Sequence, residues 1–355
     1  MNAGSSSIKL AVFDAQLQPV LAGAVTDIGG RAWIRIADSD HSAEVADHEA
    51  ALELALKTVA KAGYPINIFT AAAHRVVHGG PHLTAACRIT PDTLAQIAAC
   101  VSLAPLHNPV NLLAIHALAK LAPNLPQYAS FDTAFHATNP DLATTYALPA
   151  DIRAQGFRRY GFHGISYAGL VKTLRDQLDG RLPRRMLALH LGNGASLCAI
   201  VEGASVATTM GYSPLDGLTM GTRAGAIDGN AVLALAQRFG IAEAGNILNR
   251  RSGLLGLGGS NDMRDLHGAG TDAARFAVDH FCYWAARHAG SMIAAMGGID
   301  AIAFTGGIGE NDAQVRRAIL DRLSWAAAGL PVFILPATEE RQIAAEAIAL
   351  QQAGH

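Results

Sequence analysis

The run MLALHLGNGASLCAIV at residues 186–201 constrains this chain more than any other stretch: an apolar segment, a turn of glycine and asparagine, then a second apolar segment. It reads as strand, turn, strand, and glycine in such a turn lets backbone N–H groups close on phosphate oxygens. The chain opens on the same theme, with NAGSSS as the turn and IKLAVF as the strand that follows, but only Met1 stands before the turn.

The order of elements around the two turns repeats. Residues 8–14, 20–28 and 32–37 read as successive strands. Residues 44–62 carry a helical period that stops at Gly63, 66–77 a strand, Thr90-Pro91 a helix start, 111–121 a helix and 127–135 a strand. In the second half strands are expected at 186–191, 196–201 and 204–209, then helices, a strand over Ala301–Thr305, a helix from Asp312 and a strand over 332–335. The chain is duplicated in architecture and not in sequence. Residues 140–161, rich in Pro, Gly and Arg, are the expected boundary. The helix expected at Asp272–Met296 is apolar on more than one side, which favours burial against another helix or a subunit.

The first half lacks the strand before its opening turn. Burying about five side chains there would contribute roughly 1.5–3 kcal/mol each, comparable to the net stability of a domain, so a chain starting at Met1 is expected to be fragile.

At 355 residues the chain exceeds one ordinary core, and with half its residues hydrophobic and 16% charged it suits a dense α/β protein. A formal charge of −2 gives no reason to expect a nucleic-acid or anionic-membrane partner, and no apolar run reaches spanning length. Without a basic-then-apolar leader the expected location is the cytoplasm. Cys87, Cys100, Cys198 and Cys282 lie in apolar stretches without CxxC spacing and read as reduced thiols. His74 and His78 in HRVVH have the spacing of a zinc-binding helix, but the Glu after the first His is missing and the two valines suit a strand.

Four glycine-rich turns stand out, NAGSSS, HLGNGAS, MGTRAGAIDGN and TGGIGEN, and all but the third lie beside an expected strand. Neither GxxxxGK[ST] nor an N-terminal GxGxxG is present, which disfavours a P-loop or a dinucleotide site. Phosphoryl transfer needs cations aimed at the moving charge. Arg75 lies within an otherwise apolar strand, where either an anionic ligand or an internal carboxylate would offset its burial. Arg223 sits between Gly221 and Gly225. Asp132 ends a strand, as a catalytic carboxylate or a turn cap, and His163 lies between two glycines.

The runs NAGSSSIKL, HRVVHGG, LAPLHNP, FDTAFHATNP, RRYGFHGIS, HLGNGAS, PLDGLTMGTRAG, SGLLGLGGSNDMRDL and FTGGIGEN resemble, in order, the motifs of the acetate kinase family. The resemblance implies a duplicated ribonuclease-H-like two-domain α/β fold, shared with sugar kinases, actin and the heat-shock chaperone ATPases, with its active site in the interdomain cleft. The domains would be residues 1–138 with 338–355, and 139–337. The implied reaction is reversible, ATP + acetate to ADP + acetyl phosphate, by direct in-line transfer.

Carried over by position, Asp132, His163 and Arg223 would be catalytic. Arg75 would hold the acetate carboxylate, and Val77, Leu106, Phe162 and Pro214 would line the methyl pocket. ATP would be held by Lys9, by His190, Leu191, Gly192, Asn193 and Gly194, by Asp262, Met263 and Arg264, and by Gly307, Ile308, Gly309, Glu310 and Asn311. Asn2 and Glu339 would place Mg2+, or Mn2+ in its stead, and His107 would be a supporting contact. A homodimer is implied as well.

Ala226, Gly229, Ile165 and Tyr167 depart from the family's usual residues, and the stretch between Ala328 and Pro331 is short. A propionate or butyrate kinase and an N-terminally truncated, weakly active member are the alternatives. A non-enzymatic ATP-driven protein of the same fold would have no use for the carboxylate-binding Arg75.

Overall fold

The computed structural model describes Met1–Gly4 and Ser6–Gly354; Ser5, part of the opening turn, and His355 lie outside the described residues. The chain divides into two compact units, Met1–Ala134 with Thr338–His355, and Phe135–Ala337.

The first unit carries a five-stranded antiparallel sheet in the order β1 (Asn2–Gly4), β2 (Ser7–Phe13), β3 (Pro19–Thr26), β4 (Gly30–Ile36), β5 (Ser39–Val45). A second, three-stranded sheet has β8 (Gln127–Phe131) between β6 (Ala72–Val76) and β7 (Cys87–Arg88). Ile8, Val25, Ile34 and Ile36 meet Leu52 and Val59 of the helix His48–Lys61 and Leu118 of the helix Asn108–Leu121 in one core.

Three local expectations are corrected here. Residues 2–4 are strand rather than turn, with Asn2 opposite Lys9 and Gly4 opposite Ser7. The expected helix over 44–62 starts only at His48, where Asp47 caps it by accepting from Ala50 N at 2.9 Å. Residues 39–45 instead pair with β4 along their whole length. Residues 66–71 are not strand: after Pro65 the segment Ile66–Ile68 forms a 3₁₀ turn, and pairing begins at Ala72.

The second unit has one mixed sheet in the order β11 (Ala204–Thr208), β10 (Ala195–Val201), β9 (Arg185–Leu191), β12 (Ala301–Thr305), β13 (Val332–Ile334). The first three are antiparallel, and β12 runs parallel to β9 and β13. From Met186 to Leu191 β9 is buried throughout, as a near-continuous apolar strand covered on both faces should be. The helix Asp272–Met296 starts at a Thr271 cap, ends at Gly297 with φ +67°, and packs on β10 and the helix Gly253–Gly258. That agrees with its expected burial, although Phe276 and Tyr283 remain 58% and 54% exposed.

Among the described residues no helix is long and apolar enough to cross a membrane. All four cysteines are free thiols; Cys100, Cys198 and Cys282 are buried and Cys87 is half-buried, and burial pushes Cys198 and Cys282 up to about 12. HRVVH is not helical: His74 lies in β6, bonded to Gln127 Oε1 at 2.7 Å, and burial drives its pKa down to about 3.

Candidate active site

In the first unit the charged residues converge on Arg75. β6 and β8 are parallel neighbours, so Arg75, opposite Ser130, lies beside the residue that follows β8. Its Nε donates to both oxygens of Asp132 at 3.0 and 3.1 Å, and Nη2 donates to Oδ2 at 2.5 Å. The pair is largely withdrawn from water, with side-chain exposures of 21% and 2%. Burial opposes the guanidinium charge, but Asp132, Glu339 and Glu340 outweigh it and hold Arg75 protonated. Of the two partners left open by the sequence, the internal carboxylate is present.

Asn2 Oδ1 accepts from Arg75 Nη1 at 3.2 Å, and Glu339 opens the helix Glu339–Gln352. Both present hard oxygen atoms, the donor type that Mg2+ takes. Among the described residues no three His, Cys, Asp or Glu side chains form a metal cage, and Mg2+ shared with a nucleotide requires none. Lys9 is exposed on β2 opposite Asn2. Val77 is buried and Leu106 is 45% exposed, while His107 stands at the start of the helix Asn108–Leu121.

Two residues not singled out in the sequence position this region. Asn111 Oδ1 accepts from Val77 N at 3.1 Å and its Nδ2 donates to Ala3 O at 3.0 Å, tying β1 to the segment after β6. Asn108 accepts from His78 N at 3.1 Å and donates to His78 O at 3.0 Å. No sequence signature marks either role, which depends on the helix start meeting β1 and the segment after β6.

In the second unit the turn between β9 and β10 is the organising feature. His163 precedes the helix Gly164–Gln177 in a left-handed conformation, φ +59°, unusual for a residue with a side chain. Its Nδ1 is hydrogen-bonded to Ser196 Oγ at 2.9 Å, and its ring stacks on His190 at 4.2 Å. Tyr167, one of the departures from the family pattern, bonds the same Ser196 oxygen at 2.6 Å. His190 Nδ1 in turn is held by Ser166 Oγ at 2.8 Å.

A side chain on Gly194 would begin 3.1 Å from His163 Nε2 and 3.8 Å from Arg223 Nη1. An imidazole and a guanidinium thus face one backbone turn, the imidazole closely enough that a side chain there would crowd it. Arg223 Nη1 donates to Pro214 O at 3.0 Å, which connects it to a residue expected in the acyl pocket. Phe162 is buried, and its carbonyl is bonded to His136 Nε2 at 2.9 Å.

Asn193 is bound into its surroundings: Gly221 N donates to its carbonyl at 2.9 Å, and Asn261 Nδ2 donates to Oδ1 at 3.3 Å. A Cβ on Gly306, φ +79°, would stand 2.7 Å from Leu191 O, so TGGIGEN folds as a short helix, Gly306–Asn311, pressed against the end of β9. Gly307 N lies beside Gly192, and Ile308 and Gly309 follow in that helix. Asn311 Nδ2 donates to Gly307 O at 2.9 Å, and Glu310 Oε1 accepts from Ala337 N at 2.9 Å. Asp262 caps the helix Met263–Ala269 and pairs with the exposed Arg264, whose hydrogen bonds lower its pKa to about 2.

The chain matches the Acetokinase family across residues 1–335. It is 42% identical over 341 residues to the acetate kinase of Rhodopseudomonas palustris, covering 92% of this chain and 85% of that one. It is 40% identical to that of Nitrobacter hamburgensis, with 99% and 95% covered. Among solved structures, a propionate kinase from Francisella tularensis superposes with a TM-score of 0.92 at 33% identity, covering 97% of each chain. The acetate kinase of Porphyromonas gingivalis gives 0.89 at 31%, with 99% and 98% covered. The two-domain α/β fold expected from the sequence is the fold of these kinases, and the chain belongs to the acetate kinase family.

Proposed function

We infer that this chain catalyses reversible ATP-dependent phosphorylation of acetate, a phosphoryl transfer to a carboxyl oxygen. The observation that carries the reading is the pairing of His163 and Arg223 at Gly194. In-line transfer spreads negative charge over three equatorial oxygens, and fixed donors stabilise that charge more than they stabilise the separated reactants.

In this reading His163 and Arg223 face the transferring group, with His163 held in place by Ser196 and Tyr167. The turn at Asn193 and Gly194, closed by Gly192 N donating to Gly194 O at 2.9 Å, and the helix Gly306–Asn311 offer backbone N–H groups to the nucleotide phosphates. Lys9, His190, Asp262 and Arg264 supply further nucleotide contacts. On the first unit Arg75 binds the acetate carboxylate, with Asp132 fixing the guanidinium and keeping it charged. Asn2 and Glu339 are the residues that would hold Mg2+, which when bound supplies charge neutralisation along the phosphates. A cytoplasmic homodimer belongs to the same reading, with the exposed Phe276 and Tyr283 as apolar contact surface.

The superposition on a propionate kinase supports a second reading. Val77, Leu106, Phe162 and Pro214 are apolar, and one methylene changes discrimination by only about 1–3 kcal/mol, so propionate is expected as a poorer substrate rather than an excluded one. Trapping the acyl phosphate with hydroxylamine, using ATP and acetate, propionate or butyrate, tests both. The expected result is hydroxamate formation with kcat/KM falling from acetate onward; ATP hydrolysis without acyl phosphate would contradict the function, and a maximum at propionate would favour the second reading.

A further inference from the structure

The imidazole of His163 presents its two nitrogens to different neighbours. Nε2 faces the Gly194 turn, 3.1 Å from where a side chain on that glycine would begin, and Nδ1 is hydrogen-bonded to Ser196 Oγ at 2.9 Å. A neutral imidazole carries a proton on one nitrogen and a lone pair on the other, so the partner of one decides the state of the other. If Ser196 donates to Nδ1, Nε2 carries the proton and meets the turn as a donor; if Ser196 accepts, Nε2 meets it with a lone pair. Toward the oxygens of a phosphoryl group the first state attracts and the second repels.

The donor direction follows from proton balance across three side chains. Ser196 and Tyr167 are fully buried, and Ser196 Oγ lies 2.6 Å from the Tyr167 hydroxyl as well as 2.9 Å from Nδ1. The Tyr167 ring packs edge-on against His136 and at a tilt against Phe135, with centroids 5.8 and 6.3 Å away, which fixes the aim of its hydroxyl. Burial raises the phenol pKa well above its ordinary value, so the group remains O–H, and the His190 backbone acts on it as a donor, which leaves the phenol proton for Ser196. Ser196 Oγ, accepting from Tyr167, then has its own proton for Nδ1. The reverse order would leave the Tyr167 proton without that acceptor in a site withdrawn from water, a state that buried polar groups avoid.

We propose that Tyr167 is a positioning residue: acting through Ser196, it fixes the His163 proton on Nε2, so that a neutral imidazole donates to an oxygen of the transferring group. The inference rests on the placement of His163 at the phosphoryl side in the proposed function. It divides the work there, with Arg223 bringing a permanent charge and His163 a directed hydrogen bond that needs no protonated ring. Tyr167 is a departure from the family pattern, and this role is not among those carried over by position.

Nitrogen NMR of the full chain, isotopically labelled in its histidine rings, reads the proton directly, with the His163 signals identified by their loss in His163→Gln. At about pH 8, above the ordinary imidazole range, the unaltered chain should show an unprotonated Nδ1 and a protonated Nε2. Tyr167→Phe keeps the ring and loses the hydroxyl, so both tautomers should then be populated. Its kcat for acyl phosphate formation should fall roughly tenfold, with KM for ATP and acetate within about twofold, short of the about 10²–10³-fold that losing a whole oxyanion donor costs. Because Tyr167 acts through Ser196, Tyr167→Phe should lower kcat no further in a Ser196→Ala chain. A protonated Nδ1 in the unaltered chain would overturn the proposal whether or not Tyr167→Phe folds, and so would independent effects of the two substitutions. The shifts need no turnover and so separate two failures. Acyl phosphate made by a chain with a protonated Nδ1 keeps the function and removes the inference, while the Nε2 tautomer without any acyl phosphate keeps the fixed proton and removes the function.

Discussion

β9 and β1 each pair with the strand that follows them in the chain, but β9 is the middle strand of its sheet and β1 the end strand of its own, and they differ in length by four residues. β9 is a seven-residue strand buried from Met186 on, and the His190–Gly194 turn at its end is braced by Ser166, Ser196, Gly221 and Gly306. β1 is three residues long, and its hold on the unit comes from β2, from Met1 on β6, and from Asn111 reaching Ala3. Both positions carry residues assigned to the chemistry. In the second unit the strand before the turn is fully paired, while in the first a cavity of about 540 Å³ lined by Met1, Val12 and Ala73 adjoins the short strand.

The largest expected effect is on catalysis. Arg223→Ala should lower kcat by about 10³-fold or more with a modest change in KM for ATP, since the proposed function sets the guanidinium against charge that develops in transfer. Steady-state kinetics decides, and near-normal turnover would remove the second unit's claim to the phosphoryl side.

Asp132→Asn tests the first unit. It leaves Arg75 withdrawn from water without its carboxylate, and breaking such a pair costs about 3–5 kcal/mol. Urea unfolding followed separately in each unit should show the loss in the first unit alone. If both units shift together, they do not unfold independently and the comparison must be restated.

The two strands can also be probed by matched truncations. Leu189 of β9 is fully buried, so Leu189→Ala should cost about 2–5 kcal/mol. Val12 of β2 is half-buried and already lines the cavity, so Val12→Ala should cost less than about 1.5 kcal/mol. Equal losses in denaturant titrations would mean that the cavity is packed in solution.

Much of the second unit was legible because its signals are local. Ala301–Thr305 is a short apolar run bounded by turn residues, and Asp272–Met296 has a Thr cap, a long period and a glycine end, so both elements fall where expected. The first unit misled where a strand adjoined a helix of similar composition, at residues 44–47, and where apolar residues after Pro65 formed a 3₁₀ turn. Asn2 looked like turn because Asn and Gly favour turns, yet pairing with Lys9 overrides that preference.

In the candidate site, residue types could be read but partners could not. That Arg75 needed an anion followed from its apolar strand; that Asp132 supplies one depends on the parallel register of β6 and β8. The bracing by Ser196, Ser166, Asn108 and Asn111 has no sequence signature, since short polar side chains acquire such roles only through tertiary contact.

Native-state hydrogen exchange resolved along the chain tests the central contrast most directly, because it reads the opening free energy of each strand in place. The account predicts that amides of β2 beyond Lys9 and of β6 at Ala72 and Ala73 exchange through openings of markedly lower free energy than those of β9 and β12. Equal protection of the two strand pairs would contradict it.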